Sequence, residues 1–197
     1  MSRKVHRVKY HLDSKDIKRL SYEEIAAILR GADSLIGSGG RNLLSKLLKG
    51  SKDKKVLEHG LDKNPSYGFY SDVSLENILA KIDWVIKNRY LEIEYDYRLP
   101  LLVYSDKGWE IERDTYSTEL LEGFDKMIES GTQNFDMNYL KDRNRSMILL
   151  LLDKVQATND LKYIPLLLAW KEIDYRKIRE KIDSVIANIK RNQDRFT

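Results

Sequence analysis

Residues 74–104 read SLENILAKIDWVIKNRYLEIEYDYRLPLLVY, and two periodicities meet in that stretch. After Ser74, which suits a helix N-cap, Leu75, Ile78, Leu79, Ile82, Val85 and Ile86 recur at the spacing of one helical face. At Leu91 the period drops to two. Leu91, Ile93, Tyr95 and Tyr97 alternate with Glu92, Glu94, Asp96 and Arg98, the pattern of a half-buried strand. Pro100 is expected to interrupt it. Residues 101–104 then return as a second strand before an expected turn at Asp106-Lys107-Gly108.

Working upstream, Ser21-Tyr22-Glu23-Glu24 has the form of a capping box. Ile25, Ile28 and Leu29 continue at helical spacing up to Gly31. Gly37-Ser38-Gly39-Gly40 breaks the chain. Leu43, Leu44, Leu47 and Leu48 then mark one face of a second helix that stops at Gly50. Residues 52–59 suit a further helical turn or two, and Asn64-Pro65-Ser66-Tyr67-Gly68 is turn chemistry. Helices followed by a hairpin are the order of a winged helix, in which short helices bury one core and the hairpin covers its side. The expected fold is mainly α (α+β): a winged-helix domain at 20–113 with a β-hairpin wing, after a basic N-terminal segment at 1–19.

Downstream, helical spacing resumes from Thr115 through Leu120, Leu121 and Phe124 to a break at Ser130-Gly131. Further helices are expected at 138–154 and 160–171, with Leu166, Leu167, Leu168 and Trp170 in the core. The last helix shows the most regular stripe: Ile178, Ile182, Val185, Ile186 and Ile189. A C-terminal helical domain is therefore expected at 115–192. Lys141, Arg143, Arg145 and the pair Lys190-Arg191 either extend a basic surface or are ordinary solvated faces.

The 197 residues contain no cysteine, so disulfides and cysteine-based zinc sites are excluded. That fits a reducing compartment, and a cytoplasmic location is expected. The opening MSRKVHRVKYHLDSKD lacks the apolar core of a signal peptide, and no apolar run approaches a membrane span. The net charge of +4 is unevenly spread. Residues 1–60 carry 14 Lys and Arg against 7 Asp and Glu, residues 61–130 carry 8 against 15, and residues 131–197 carry 13 against 9. A basic N-terminal third suits a polyanion such as nucleic acid.

The order of elements from Leu29 to Gly108 resembles the RQC domain of RecQ-type helicases. Leu48-Lys49-Gly50-Ser51-Lys52-Asp53-Lys54-Lys55-Val56 is similar to that family's loop of Arg-Gly-Ser followed by basic residues. Ser66-Tyr67-Gly68 is similar to its Ser-x-Gly turn, and residues 82–91 lead into the wing as in the family. The resemblance implies that Lys49 and Lys55 contact duplex phosphates, with Ser51 at the family's phosphate-contacting serine. Both basic positions are Lys, which keeps the charge without the bidentate fork of Arg. Apart from the family, a Gly-Ser step between helices leaves backbone N–H groups near a helix start, and Lys49, Lys52, Lys54 and Lys55 add charge there. The resemblance also implies an aromatic at the wing tip that stacks on a terminal base pair. Tyr95 and Tyr97 lie where the tip is expected, beside Arg98; the alternative is that both pack on the core.

No phosphate-loop motif G-x-x-x-x-G-K-[ST] follows the glycine stretch, and the cysteine-rich zinc module of RecQ helicases has no counterpart. Helicase activity is therefore not carried over. Glu92, Glu94 and Asp96 share one strand face, which repels phosphate and reads as a solvated face rather than a metal-dependent nuclease site. His6, His11 and His59 show no metal spacing. The expectation is a non-enzyme with no cofactor and no metal. It binds duplex, forked or branched DNA through Lys49, Ser51, Lys52, Lys54, Lys55, Tyr97 and Arg98, in repair, replication or recombination. The alternative is a protein-interaction module that recruits a separately encoded helicase or nuclease and has no DNA affinity of its own.

Overall fold

In the structure, a computed structural model that describes residues 7–131 and 134–193, helix α1 (Tyr22–Asp33) begins where Ser21 and Glu24 cap it reciprocally. The Ser21 hydroxyl accepts from the Glu24 N–H at 3.1 Å, and the Glu24 carboxylate accepts from the Ser21 N–H at 2.9 Å. Gly31 does not end α1. It lies inside the helix, where a Cβ would meet Leu44, Leu47 and Leu48 at 3.2–3.3 Å, so its bareness lets α1 lie against α2 (Arg41–Lys49). Helix α3 (Lys54–Glu58) is short, and α4 (Leu75–Lys87) starts at its cap Ser74. His6 and the first residues of the basic segment fall outside the described residues.

The wing follows. Strands β1 (Leu91–Asp96) and β2 (Leu99–Tyr104) pair antiparallel, from Leu91 opposite Tyr104 to Asp96 opposite Leu99. Leu91 is buried while Glu92, Glu94 and Asp96 are exposed, as the alternation requires. Pro100 does not interrupt β2; it pairs with Tyr95. In a two-stranded sheet both strands are edges, where the missing N–H of proline is tolerated. Ile28, Leu44, Leu47, Ile78, Ile82 and Leu91 are fully buried in one cluster, so three helices and the wing share a core. This is a mainly α winged helix.

Asp106-Lys107-Gly108 is not a turn but the first turn of α5 (Asp106–Glu129), nine residues before the expected start at Thr115. The Ser105 hydroxyl accepts from the Gly108 N–H at 3.0 Å. The glycine that suggested a turn is there for space: a Cβ at Gly108 would lie 1.8 Å from the Tyr90 carbonyl oxygen.

The chain divides into two compact units, residues 1–112 and 113–197. In the second, α6 (Arg145–Thr158) starts later than expected. The Asn144 side chain caps it, and residues 138–140 form a separate 3-10 turn. Pro165 stands in the first turn of α7 (Ile164–Ile173). Helix α8 (Arg176–Gln193) buries its isoleucine stripe. Trp170 is fully buried, edge-on to Phe124 at 5.9 Å, with its indole N–H on Asp174 at 2.7 Å. Leu168 departs from expectation: it is 49% exposed, being on the side of α7 away from Leu166, Leu167 and Trp170. Among the described residues no helix is long and apolar enough to cross a membrane.

Two predictions follow from local geometry. Gly108→Ala forces α5 off Tyr90 and lowers stability by about 3 kcal/mol in urea unfolding. Gly123→Ala, in the same helix with nothing within 4 Å, raises it by roughly 0.5–1 kcal/mol. A third prediction concerns Glu24. Burial alone raises its pKa, but hydrogen bonds from Lys81, the Ser21 N–H and Tyr70 outweigh that and hold it below its ordinary value of 4.5. A depressed carboxyl stabilises the fold above the unfolded value and loses that contribution as pH falls through the folded one. Glu24→Gln should therefore be less stable at neutral pH, and its stability should converge with that of the parent in acid. Parallel curves down to acid pH would refute this role.

Candidate nucleic-acid interface

The loop between α2 and α3 closes on itself first. Gly50 ends α2 at φ +73°, a left-handed backbone that glycine adopts freely. The Gly50 N–H reaches Leu47 O at 2.9 Å and the Ser51 N–H reaches Lys46 O at 2.9 Å. The loop is then braced from outside. The Gly68 N–H donates to Leu47 O at 3.0 Å, the Tyr70 N–H to Leu48 O at 2.8 Å, and the Tyr67 hydroxyl to Ser51 O at 3.2 Å. A Cβ on Gly50 would stand 3.0 Å from the Gly68 Cα. The Lys-Gly-Ser loop and the Ser-Tyr-Gly turn, separate in sequence, are one packed piece.

One expectation changes. The start of α3 does not leave its N–H groups open for an anion, because Asp53 occupies it. Its carboxylate accepts from the Lys55 N–H at 3.0 Å and from the Lys46 ammonium at 2.8 Å. The Lys46 hydrogen bond, seconded by the Lys55 N–H, holds the Asp53 pKa below its usual value. The Ser51 hydroxyl accepts from the Asp53 N–H at 3.2 Å, so it is part of the same brace. An approaching phosphate would meet lysine side chains instead. Lys52, Lys54 and Lys55 are exposed; Lys54 is 85% exposed and only 3.5 Å from Glu58. Lys49 hydrogen-bonds the Ser71 carbonyl, which points it along the turn.

The wing tip is a separate feature. The two-residue turn Tyr97-Arg98 joins the strands, with Tyr97 at φ +51° and 66% exposed. The Arg98 guanidinium lies 5.4 Å from the Tyr97 ring centre. Tyr95 is not at the tip. Its hydroxyl donates to Val8 O at 2.8 Å, Arg7 sits over its ring at 5.0 Å, and Tyr10 packs 6.1 Å away. Glu92, Glu94 and Asp96 remain exposed, and among the described residues no group of three or more His, Cys, Asp or Glu is arranged to hold a metal ion. His11 and His59 are surface residues.

Sequence reasoning missed the N-terminal strap. The Val8 N–H pairs with Arg98 O at 3.1 Å, the Asp13 N–H with Asp83 at 2.8 Å, and Lys15 with Asn77 and Glu76. Residues 7–15 thus run from the wing tip to α4. The alternation Val8-Lys9-Tyr10-His11-Leu12 was the available signal. In the second unit, Lys141 lies 5.6 Å from the Tyr175 ring, Arg143 lies 4.9 Å from the Tyr116 ring, and Arg191 bonds Asn188.

The RQC domain matches this chain over residues 15–122, more than half its length. ATP-dependent DNA helicase RecQ of Bacillus subtilis (strain 168) is 29% identical over 93 residues, which are 47% of this chain and 15% of the helicase. The chain thus spans a small fraction of that relative. No solved structure matches. With its helices, wing and braced basic loop in one unit, and with a match over more than half its length, the chain belongs to the RQC domain family.

Proposed function

We propose that this chain is a non-catalytic DNA-docking protein that holds duplex or branched DNA through the α2–α3 loop. The supporting observation is the brace: Gly50 against Gly68, with Tyr67 on Ser51, holds a loop whose exposed lysines have an anchored backbone. Lys49, Lys52, Lys54 and Lys55 neutralise phosphates as point charges, and Ser51 donates its hydroxyl proton to a phosphate oxygen. Such contacts give salt-dependent affinity with little sequence preference. The exposed Tyr97 ring, with Arg98 beside it, caps a duplex end or junction, where one stacked base contributes about 1–3 kcal/mol. The relative named above is a DNA helicase by description, which agrees with a DNA partner in repair, replication or recombination.

The test is a binding titration on blunt duplex DNA across salt concentrations. Lys49→Ala with Lys55→Ala should weaken binding and flatten the slope of log K against log salt by about 2. Unchanged affinity and slope would remove the loop from the interface. No DNA affinity in the parent chain, together with co-purification of a helicase or nuclease, would favour a protein-recruiting role.

A further inference from the structure

Beside the proposed phosphate loop lies a groove of about 740 Å³. The strap forms one wall with Lys9, Tyr10 and His11, and the start of α2 forms another. Its apolar floor is the strap side of the wing, Ile93 and Pro100, with Leu99 and Leu101 lining it along β2 from the alternate strand face. Among the described residues no carboxylate lines it, although residues 61–130 carry 15 Asp and Glu. Two of its cations are already neutralised, Arg41 by Asp83 and Lys46 by Asp53. Lys9 and Lys55 have no ion-pair partner among the described residues, and the imidazoles of His11 and His59 stand with them around the rim.

The two ends of the groove identify an occupant. Lys55 belongs both to the groove and to the proposed phosphate loop. At the other end, Leu99 and Pro100 follow directly on Tyr97 and Arg98 at the wing tip. We propose that the groove carries the unpaired single strand of a DNA whose duplex part is held by the α2–α3 loop. This inference rests on the DNA-docking reading and assigns the strap a share of the binding. A duplex keeps its bases stacked inside and offers no face to an apolar floor. An unpaired strand offers bases to Ile93, Pro100 and the Tyr10 ring while its phosphates meet Lys9 and Lys55. An acidic peptide would satisfy the rim and floor, but the continuity with the phosphate loop favours DNA.

The experiment uses the full chain with a blunt duplex, the same duplex bearing an oligothymidine tail of either polarity, and the free oligothymidine. Lys9→Glu with His59→Glu reverses the rim at two exposed positions outside the proposed loop. The parent should bind one tailed duplex about tenfold more tightly than the blunt one. The double variant should lose that preference and keep its blunt-duplex affinity. A second readout exploits the absence of cysteine. His59→Cys carries the chain's single thiol, which should attack a mixed disulfide placed on the tail near the junction, releasing its small leaving thiol and cross-linking the tail, and should not react with one at the far duplex end.

A parent with no tail preference and no selective trapping overturns the groove. So does a double variant that weakens blunt and tailed DNA equally, because the rim would then add only general charge. Lys49→Ala with Lys55→Ala, scored on the blunt duplex, separates failure of the loop from failure of the groove. If that pair leaves blunt binding unchanged while tail trapping persists, the groove stands and the loop does not.

Discussion

A single buried carboxylate holds the strap, α2 and α4 of the first unit together. Asp83 on α4 is 2% exposed and receives Arg41 from the start of α2 and the Asp13 N–H from the strap. A charge at that depth is stable only when its partners are in place, and removing one leaves an uncompensated ion. The three elements are therefore coupled. The strap cannot lift from α4 without exposing one side of Asp83, and α2 cannot rotate without separating Arg41 from it. The wall of the groove and the helix that leads into the basic loop share this one anchor.

The surface electrostatics follow from which elements meet, not from where charges fall along the chain. By sequence the middle third is acidic, and the wing contributes Glu92, Glu94 and Asp96 to it. In space residues 7–10 lie on the wing, with Arg7 over Tyr95 and Val8 paired to Arg98. The outer strand face stays acidic, while the groove toward α2 is lined by Lys9, His11 and Lys55, with no carboxylate among the described residues. The hairpin thus carries its acids on one face and has Lys9 and Lys55 along the groove beside the other.

The features legible in the sequence were those set by local periodicity. The stripes of α1, α2, α4 and α8, the cap at Ser21 and the alternation through β1 all depend on residues within a few positions of one another. The candidate loop was legible as a basic Gly-Ser step, and its likeness to a known family pointed to the same place. What escaped depends on distant partners. Gly108 resembled a turn residue because its reason, the Tyr90 carbonyl, lies 18 positions upstream. Asp53 was read through within a run of lysines, although its carboxylate occupies the helix start that the lysines were expected to share. The strap lacked any strong local signal, since its partners Asp83, Asn77 and Arg98 are each more than sixty residues away in sequence.

The turn of the wing sets stability against recognition. A non-glycine residue at φ > 0 carries a strain of about 1 kcal/mol or more, and Tyr97 sits at φ +51°. Glycine or asparagine at that position would relax the hairpin, and any procedure that optimises thermal resistance would drift toward them. The same change would remove the one exposed ring at the apex of the wing. A version of this domain selected for robustness alone would therefore be expected to keep its fold and lose its tip.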